Sequence, residues 1–158
     1  MNKYTEKYRK IVDEFVKNYY PNLSGRTRII LEDRFVKGSA FVLPALFFSI
    51  IGVSTKVRDY SEDSVKGLFA HELAHLDKNR DKNIFYFIRW VFDKKVRADY
   101  ERDADEHAIE VGLGEFLLAS AETDVEIYSP EEMIKRHTID GYMSPDEIRK
   151  EIGNRYSF

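Results

Sequence analysis

The sequence predicts an α+β fold, a single domain with a helical C-terminal extension, on three observations. Apolar residues recur at helical spacing near the N-terminus, short apolar runs broken by Gly and Pro follow, and helical patterning resumes after Ser61. The 158 residues are enough for one domain with a sizeable core. With 43% hydrophobic and 34% charged residues, the composition is that of an ordinary globular chain.

Tyr4, Tyr8, Ile11, Val12, Phe15, Val16 and Tyr19 mark one face of a helix over residues 3–19, which Pro21 and Gly25 end. Residues 28–35 read as a strand closed by a turn at Lys37-Gly38. Residues 39–43 and 47–53 read as further short strands, parted by Pro44, so a small mixed sheet is expected. Ser61 then offers an N-cap oxygen, with Glu62 and Asp63 in the first turn, for a helix reaching about Lys78. An aromatic-rich segment covers 82–96, and another helix 97–111, ended by Gly112 and Gly114. Ser129-Pro130-Glu131-Glu132 and Ser144-Pro145-Asp146-Glu147 announce two short helices, each with a capping Ser, a Pro at the first position and early acids. The expected division is a core over 1–114 and a helical extension over 115–158 in the same compact unit.

A net charge of -3 gives no electrostatic reason to expect nucleic acid as a partner. The lack of cysteine excludes disulfides and thiolate zinc sites, suits a cytoplasmic setting, and leaves His and carboxylates as the available metal ligands. No apolar signal core follows Met1. The apolar run 40–53 is too short to span a bilayer and contains Pro44, and the run 84–92 is shorter still and carries Arg89. Both read as core, and the aromatics of the second also suit contact with a membrane surface.

The chemistry is concentrated in His71-Glu72-Leu73-Ala74-His75. Residues four apart share a helix face, so both imidazoles can grip one metal ion, and Glu72 lies where a general base for water belongs. On a helical wheel the histidines flank an apolar arc of Val65, Leu68, Phe69 and Leu76, and Glu72 lies within it. Core hydrogen bonds would account for one histidine. They leave an ionised glutamate in an apolar face, which a metal and its water resolve.

A third ligand is needed. Glu101 and Asp105 share a helix face with Ala98, Ala104, Ala108 and Gly112, a surface suited to close helix packing. Two carboxylates there repel and lose hydration unless a cation and hydrogen-bond donors meet them. Glu101 as ligand and Asp105 as partner of a ligating histidine satisfy both needs; ion pairing with Arg97 is the plainer alternative. His107, on the margin of the polar face, is not expected to ligate, and His137, after Lys135-Arg136, is expected to be solvated.

His71-Glu72-Leu73-Ala74-His75 followed by Glu101-x-x-Ala104-Asp105 resembles the signature of the gluzincin metallopeptidases. The likeness is greatest to the group of the membrane-bound CAAX prenyl protease and the heat-shock metallopeptidases, in their reduced, soluble minigluzincin form. Ser39-Ala40-Phe41-x-x-Pro44, Ile51-Gly52-Val53 and Tyr60-Ser61-Glu62-Asp63 extend it over about residues 28–114. The resemblance implies a zincin-like fold and a zinc endopeptidase with one Zn2+ per chain on His71, His75 and Glu101. It implies Glu72 as base and Asp105 orienting a ligand, chiefly His71. Ser39, Ala40, Phe41, Val42 and Leu43 would form the edge strand that pairs with an extended peptide or protein substrate. Minigluzincin likeness also implies a latent enzyme whose extension covers the cleft.

Two departures stand out. The membrane relatives carry transmembrane helices, and none is found here. Their downstream His-Pro element has no counterpart, and Gly141-Tyr142-Met143-Ser144-Pro145 occupies that region, which leaves Tyr142 and His137 as candidates for stabilising an oxyanion. The alternative of another class is a non-catalytic interaction module with a structural zinc, closed by His137 as fourth ligand.

Overall fold

The computed structural model describes residues 3–25, 27–31, 39–44, 49–79 and 92–156. Helix α1 (Lys3–Asn18) forms on its apolar stripe and buries Tyr8, Ile11, Val12, Phe15 and Val16. The amides of Tyr19 and Tyr20 both reach the Phe15 carbonyl, a 3-10 turn follows at Pro21–Leu23, and Gly25 takes φ 70°, so the chain turns where expected.

Three strands follow: β1 (Thr27–Leu31), β2 (Ala40–Pro44) and β3 (Ser49–Val53). The order is β1-β3-β2, with β3 parallel to β1 and antiparallel to β2, a small mixed sheet as expected. The central strand carries the fully buried Ile51 and Val53. The ring of Phe41 lies over Gly52, where any Cβ would collide with it. Pro44 closes β2, a position an edge strand tolerates because proline has no ladder donor. The first strand runs Thr27–Leu31 among the described residues; the expected turn at Lys37-Gly38 lies outside them.

Ser61 opens helix α2 (Glu62–Lys78), its Oγ accepting the Ser64 amide at 3.1 Å. Helix α3 (Lys94–Glu110) begins before the expected residue 97, because Asp93 caps it by accepting from Lys95 and Val96. Gly112 at φ 96° ends it, as expected. Gly114 does not: it is the first residue of a helix that the sequence reading missed, α4 (Gly114–Ile127). Its small residues blur the apolar stripe, since α4 packs intimately along α2 through them. A Cβ at Gly67 would strike the Phe116 carbonyl oxygen, and the Ser64 hydroxyl lies 2.7 Å from that of Thr123.

Ser129 and Glu132 form a capping box for α5 (Pro130–Lys135), and a π-helical turn, Arg136–Asp140, continues it to Gly141 at φ 94°. Ser144 and Glu147 bond reciprocally at the start of α6 (Pro145–Tyr156). The segment after residue 114 is therefore no appendage. Leu117, Met143 and Ile148 share one core cluster with Phe15, Phe69, Leu73 and Ile109. The aromatic run 84–92 falls outside the described residues except for Phe92, which is 83% exposed. Among the described residues no helix is long and apolar enough to cross a membrane.

Gly67→Ala is expected to lower unfolding free energy by about 1–3 kcal/mol, the usual range for overpacking a tight contact. Urea denaturation of the variant checks this; an unchanged midpoint means that α2 and α4 part easily.

Candidate metal centre

Helix α2 supplies His71, Glu72 and His75, all buried, because the helix is packed on several sides and has little solvent face along its second half. Helix α3 supplies Glu101 and Asp105 from the alanine-rich face that lets it approach α2 closely, with Ala104 and Ala108 buried beside them. Nε2 of His71 and Nε2 of His75 both point at one oxygen of Glu101, at 3.2 Å and 3.1 Å. The donor atoms of these residues lie within 4.8 Å of one another, a group able to hold a metal ion. Bonds of about 2.0–2.1 Å to a tetrahedral centre separate donor atoms by roughly 3.3 Å, so the spacing fits an ion between them.

Asp105 Oδ1 lies 2.7 Å from Nδ1 of His71. With its proton on Nδ1, the imidazole donates to that carboxylate and leaves Nε2 as a lone-pair donor. The other Asp105 oxygen accepts the backbone N–H of Met143 at 2.8 Å. His75 is held differently. Its ring stacks on Tyr100 at 4.1 Å and 13°, its Nδ1 has no hydrogen-bond partner among the described residues, and its carbonyl takes both the backbone and side-chain N–H of Asn79.

The charges respond to this crowding. Burial pushes the Glu72 carboxyl from 4.5 to about 7, with Glu101 adding to the rise and His71 opposing it. Burial also acts to raise Glu101, but hydrogen bonds from both histidines outweigh it and hold that carboxyl well below the usual range. Burial depresses His75, as does its neighbour His71, whereas the carboxylates of Asp105 and Glu101 overcome burial and raise His71. A buried ion-pair network of this kind is stable only while every charge keeps its partner.

A cavity of about 90 Å³ adjoins His71, Glu72 and Asp105. Ser39 and Ala40 line it from the sheet, Asp124 from α4, and Arg136, His137 and Tyr142 from the C-terminal segment. Of the expected edge-strand residues, Ala40, Phe41 and Val42 lie in β2 with Leu43, while Ser39 precedes it and accepts the Ser54 amide. Tyr142 stacks on His71 with ring centres 5.5 Å apart, and burial raises its phenol well above the ordinary value. Arg136 lies over that ring at 4.3 Å and over Tyr128 at 4.7 Å, and pairs with Asp124 at 2.6 Å.

His137 is half-buried rather than solvated, because the π-helical turn folds it back so that Nδ1 meets the Tyr142 carbonyl at 3.1 Å. His107 stands outside the site and bridges Asp77 and Glu110 at 2.9 Å and 3.3 Å. The sequence reading did not find Tyr100, Arg136, Asp124 or the Met143 amide. Tyr100 beside Glu101 is a usable local signal; the others depend on chain reversals that no local pattern announces. No family model, curated relative or solved structure matches the chain.

Glu72 has a folded-state value above its unfolded one, so its contribution to stability is complete below about 4.5 and is lost as pH rises through about 7. The metal-free chain is thus expected to lose stability relative to Glu72→Gln between about pH 5 and pH 8, by urea midpoint. Parallel pH profiles for the two would contradict a buried, raised Glu72.

Proposed function

We propose that the chain is a cytoplasmic zinc-dependent endopeptidase of zincin-like, gluzincin architecture. The observation that carries this reading is the convergence of two imidazole Nε2 atoms on one Glu101 oxygen, with the buried Glu72 carboxyl lining the adjacent cavity. Two nitrogens and one carboxylate suit zinc and leave a fourth position for water or substrate. The described residues contribute three donors to this group, which favours an open catalytic site over an interaction module with a closed structural zinc.

His71, His75 and Glu101 would hold the ion, and a bound zinc supplies carbonyl polarisation and easier ionisation of water. Asp105 fixes the tautomer of His71. Glu72, buried beside the donor group, would take a proton from the attacking water and return it to the leaving nitrogen. Strand β2, at the edge of the sheet among the described residues, would pair with an extended peptide. Tyr142 keeps its phenolic proton, raised as it is by burial, and is the oxyanion candidate in contact with a metal ligand.

In this reading the chain is latent, with its C-terminal segment standing beside the cleft. Arg136, His137, Tyr142 and Met143 of that segment line the cavity that adjoins His71 and Glu72. The Asp124–Arg136 pair fastens the π-helical turn to α4.

Glu72→Gln is expected to lower peptidase activity by about 10²–10⁴-fold at unchanged zinc stoichiometry, assayed on unfolded protein substrates. Full activity in that variant removes Glu72 from the mechanism. The paired change Asp124→Asn with Arg136→Met exchanges the ion pair for neutral groups of similar size and is expected to raise activity several-fold. An unchanged rate in this double variant contradicts latency.

A further inference from the structure

We propose that the turn Gly141–Met143 is a positioning element of the metal centre, and not a removable cover over it. The inference rests on His71, His75 and Glu101 holding a metal ion, and it concerns the segment that closes the cleft.

Three contacts carry it, from three consecutive residues. Gly141, at φ 94°, lies so close to α3 that any Cβ would collide with the Ala98 backbone. Tyr142 stacks on the imidazole of His71. The Met143 N–H donates to Asp105 Oδ2 at 2.8 Å, while Oδ1 of the same carboxylate meets His71 Nδ1 at 2.7 Å. Ala98, Glu101 and Asp105 follow one another at spacings of three and four, so they share a face of α3. The turn therefore docks along the face that bears the ligand. Its own shape is kept by the Tyr142 amide on the Arg136 carbonyl and by His137 on the Tyr142 carbonyl, both at 3.1 Å.

The physical consequence concerns Asp105. A desolvated carboxylate with one partner can swing about its side-chain bonds, and its second oxygen is left costly and unsatisfied. The Met143 amide satisfies that oxygen and fixes the plane of the carboxylate, which in turn fixes the ring of His71. Groups that orient a metal-bound histidine in this way typically change metal affinity by roughly 10–100-fold. Coupling is reciprocal, so bound metal must also strengthen the Met143 hydrogen bond. Release of the whole C-terminal segment would then loosen the metal, and opening must spare residues 141–143.

The test uses the 158-residue chain and zinc alone, titrated against a chromophoric chelator. Met143→Pro, which lacks the amide proton, is expected to bind zinc roughly 10–100-fold more weakly, and Met143→Leu to match the natural chain. Proline also restrains Tyr142, so a second measurement needs no variant: the Met143 amide of the natural chain should exchange about tenfold more slowly with zinc than without, by NMR. If the natural chain binds no zinc, the metal reading itself fails. If it binds zinc while Met143→Pro binds equally well, or Met143 exchange ignores zinc, the metal reading stands and the positioning role is overturned. If the proline variant does not fold, the exchange measurement decides.

Discussion

Five ionisable side chains, His71, Glu72, His75, Glu101 and Asp105, are buried at the meeting of α2 and α3. Burying them is the constraint on which the rest of the structure depends. Uncompensated charge in such a setting costs several kcal/mol per group, a large share of the roughly 5–15 kcal/mol by which an ordinary domain is stable. The cluster therefore has to be internally satisfied, and its carboxylates and imidazoles are paired accordingly. Glu72 is the exception, since its carboxyl is not drawn into those pairs and responds by rising to about 7.

Such a cluster also needs rigid walls. Helix α2 is gripped by α4 through Gly67 and Ser64, by α1 through Tyr8 against Phe69, and by Tyr20, whose hydroxyl donates to the Ala70 carbonyl. Small residues on α2 and α3 bring backbones close enough for short side chains to meet across them. The C-terminal segment completes the enclosure and contributes Met143 and Ile148 to the core. The buried His and carboxylate cluster and the hydrophobic core are thus built by the same helices.

The two histidines are held by different means. His71 is oriented through hydrogen bonding to Asp105 and stacking on Tyr142, whereas His75 is held by the flat face of Tyr100 and by the backbone and side-chain N–H groups of Asn79, which both donate to its carbonyl. A directional bond sets both tautomer and ring plane; a stacked ring sets the plane alone. One histidine is therefore polarised by a carboxylate and the other is positioned by shape.

The sequence by itself determined whatever depends on neighbours within a turn or two. Ser61, Ser129 and Ser144 cap helices through residues three positions on, and the four-residue spacing of His71 and His75 puts both on one face. The pairing of Glu101 and Asp105 with that face was legible for a related reason: carboxylates among alanines have few other places to go. Only the tertiary structure decided the parallel pairing of β1 with β3, the helix Gly114–Ile127, and the approach of Tyr142 to His71 and of Met143 to Asp105. The Met143 amide reaches Asp105 across a separation of 38 residues, and a backbone N–H carries no sequence signature at all. α4 escaped notice because its small residues face α2 at backbone distance, where fit between two surfaces, and not apolar periodicity, sets the packing.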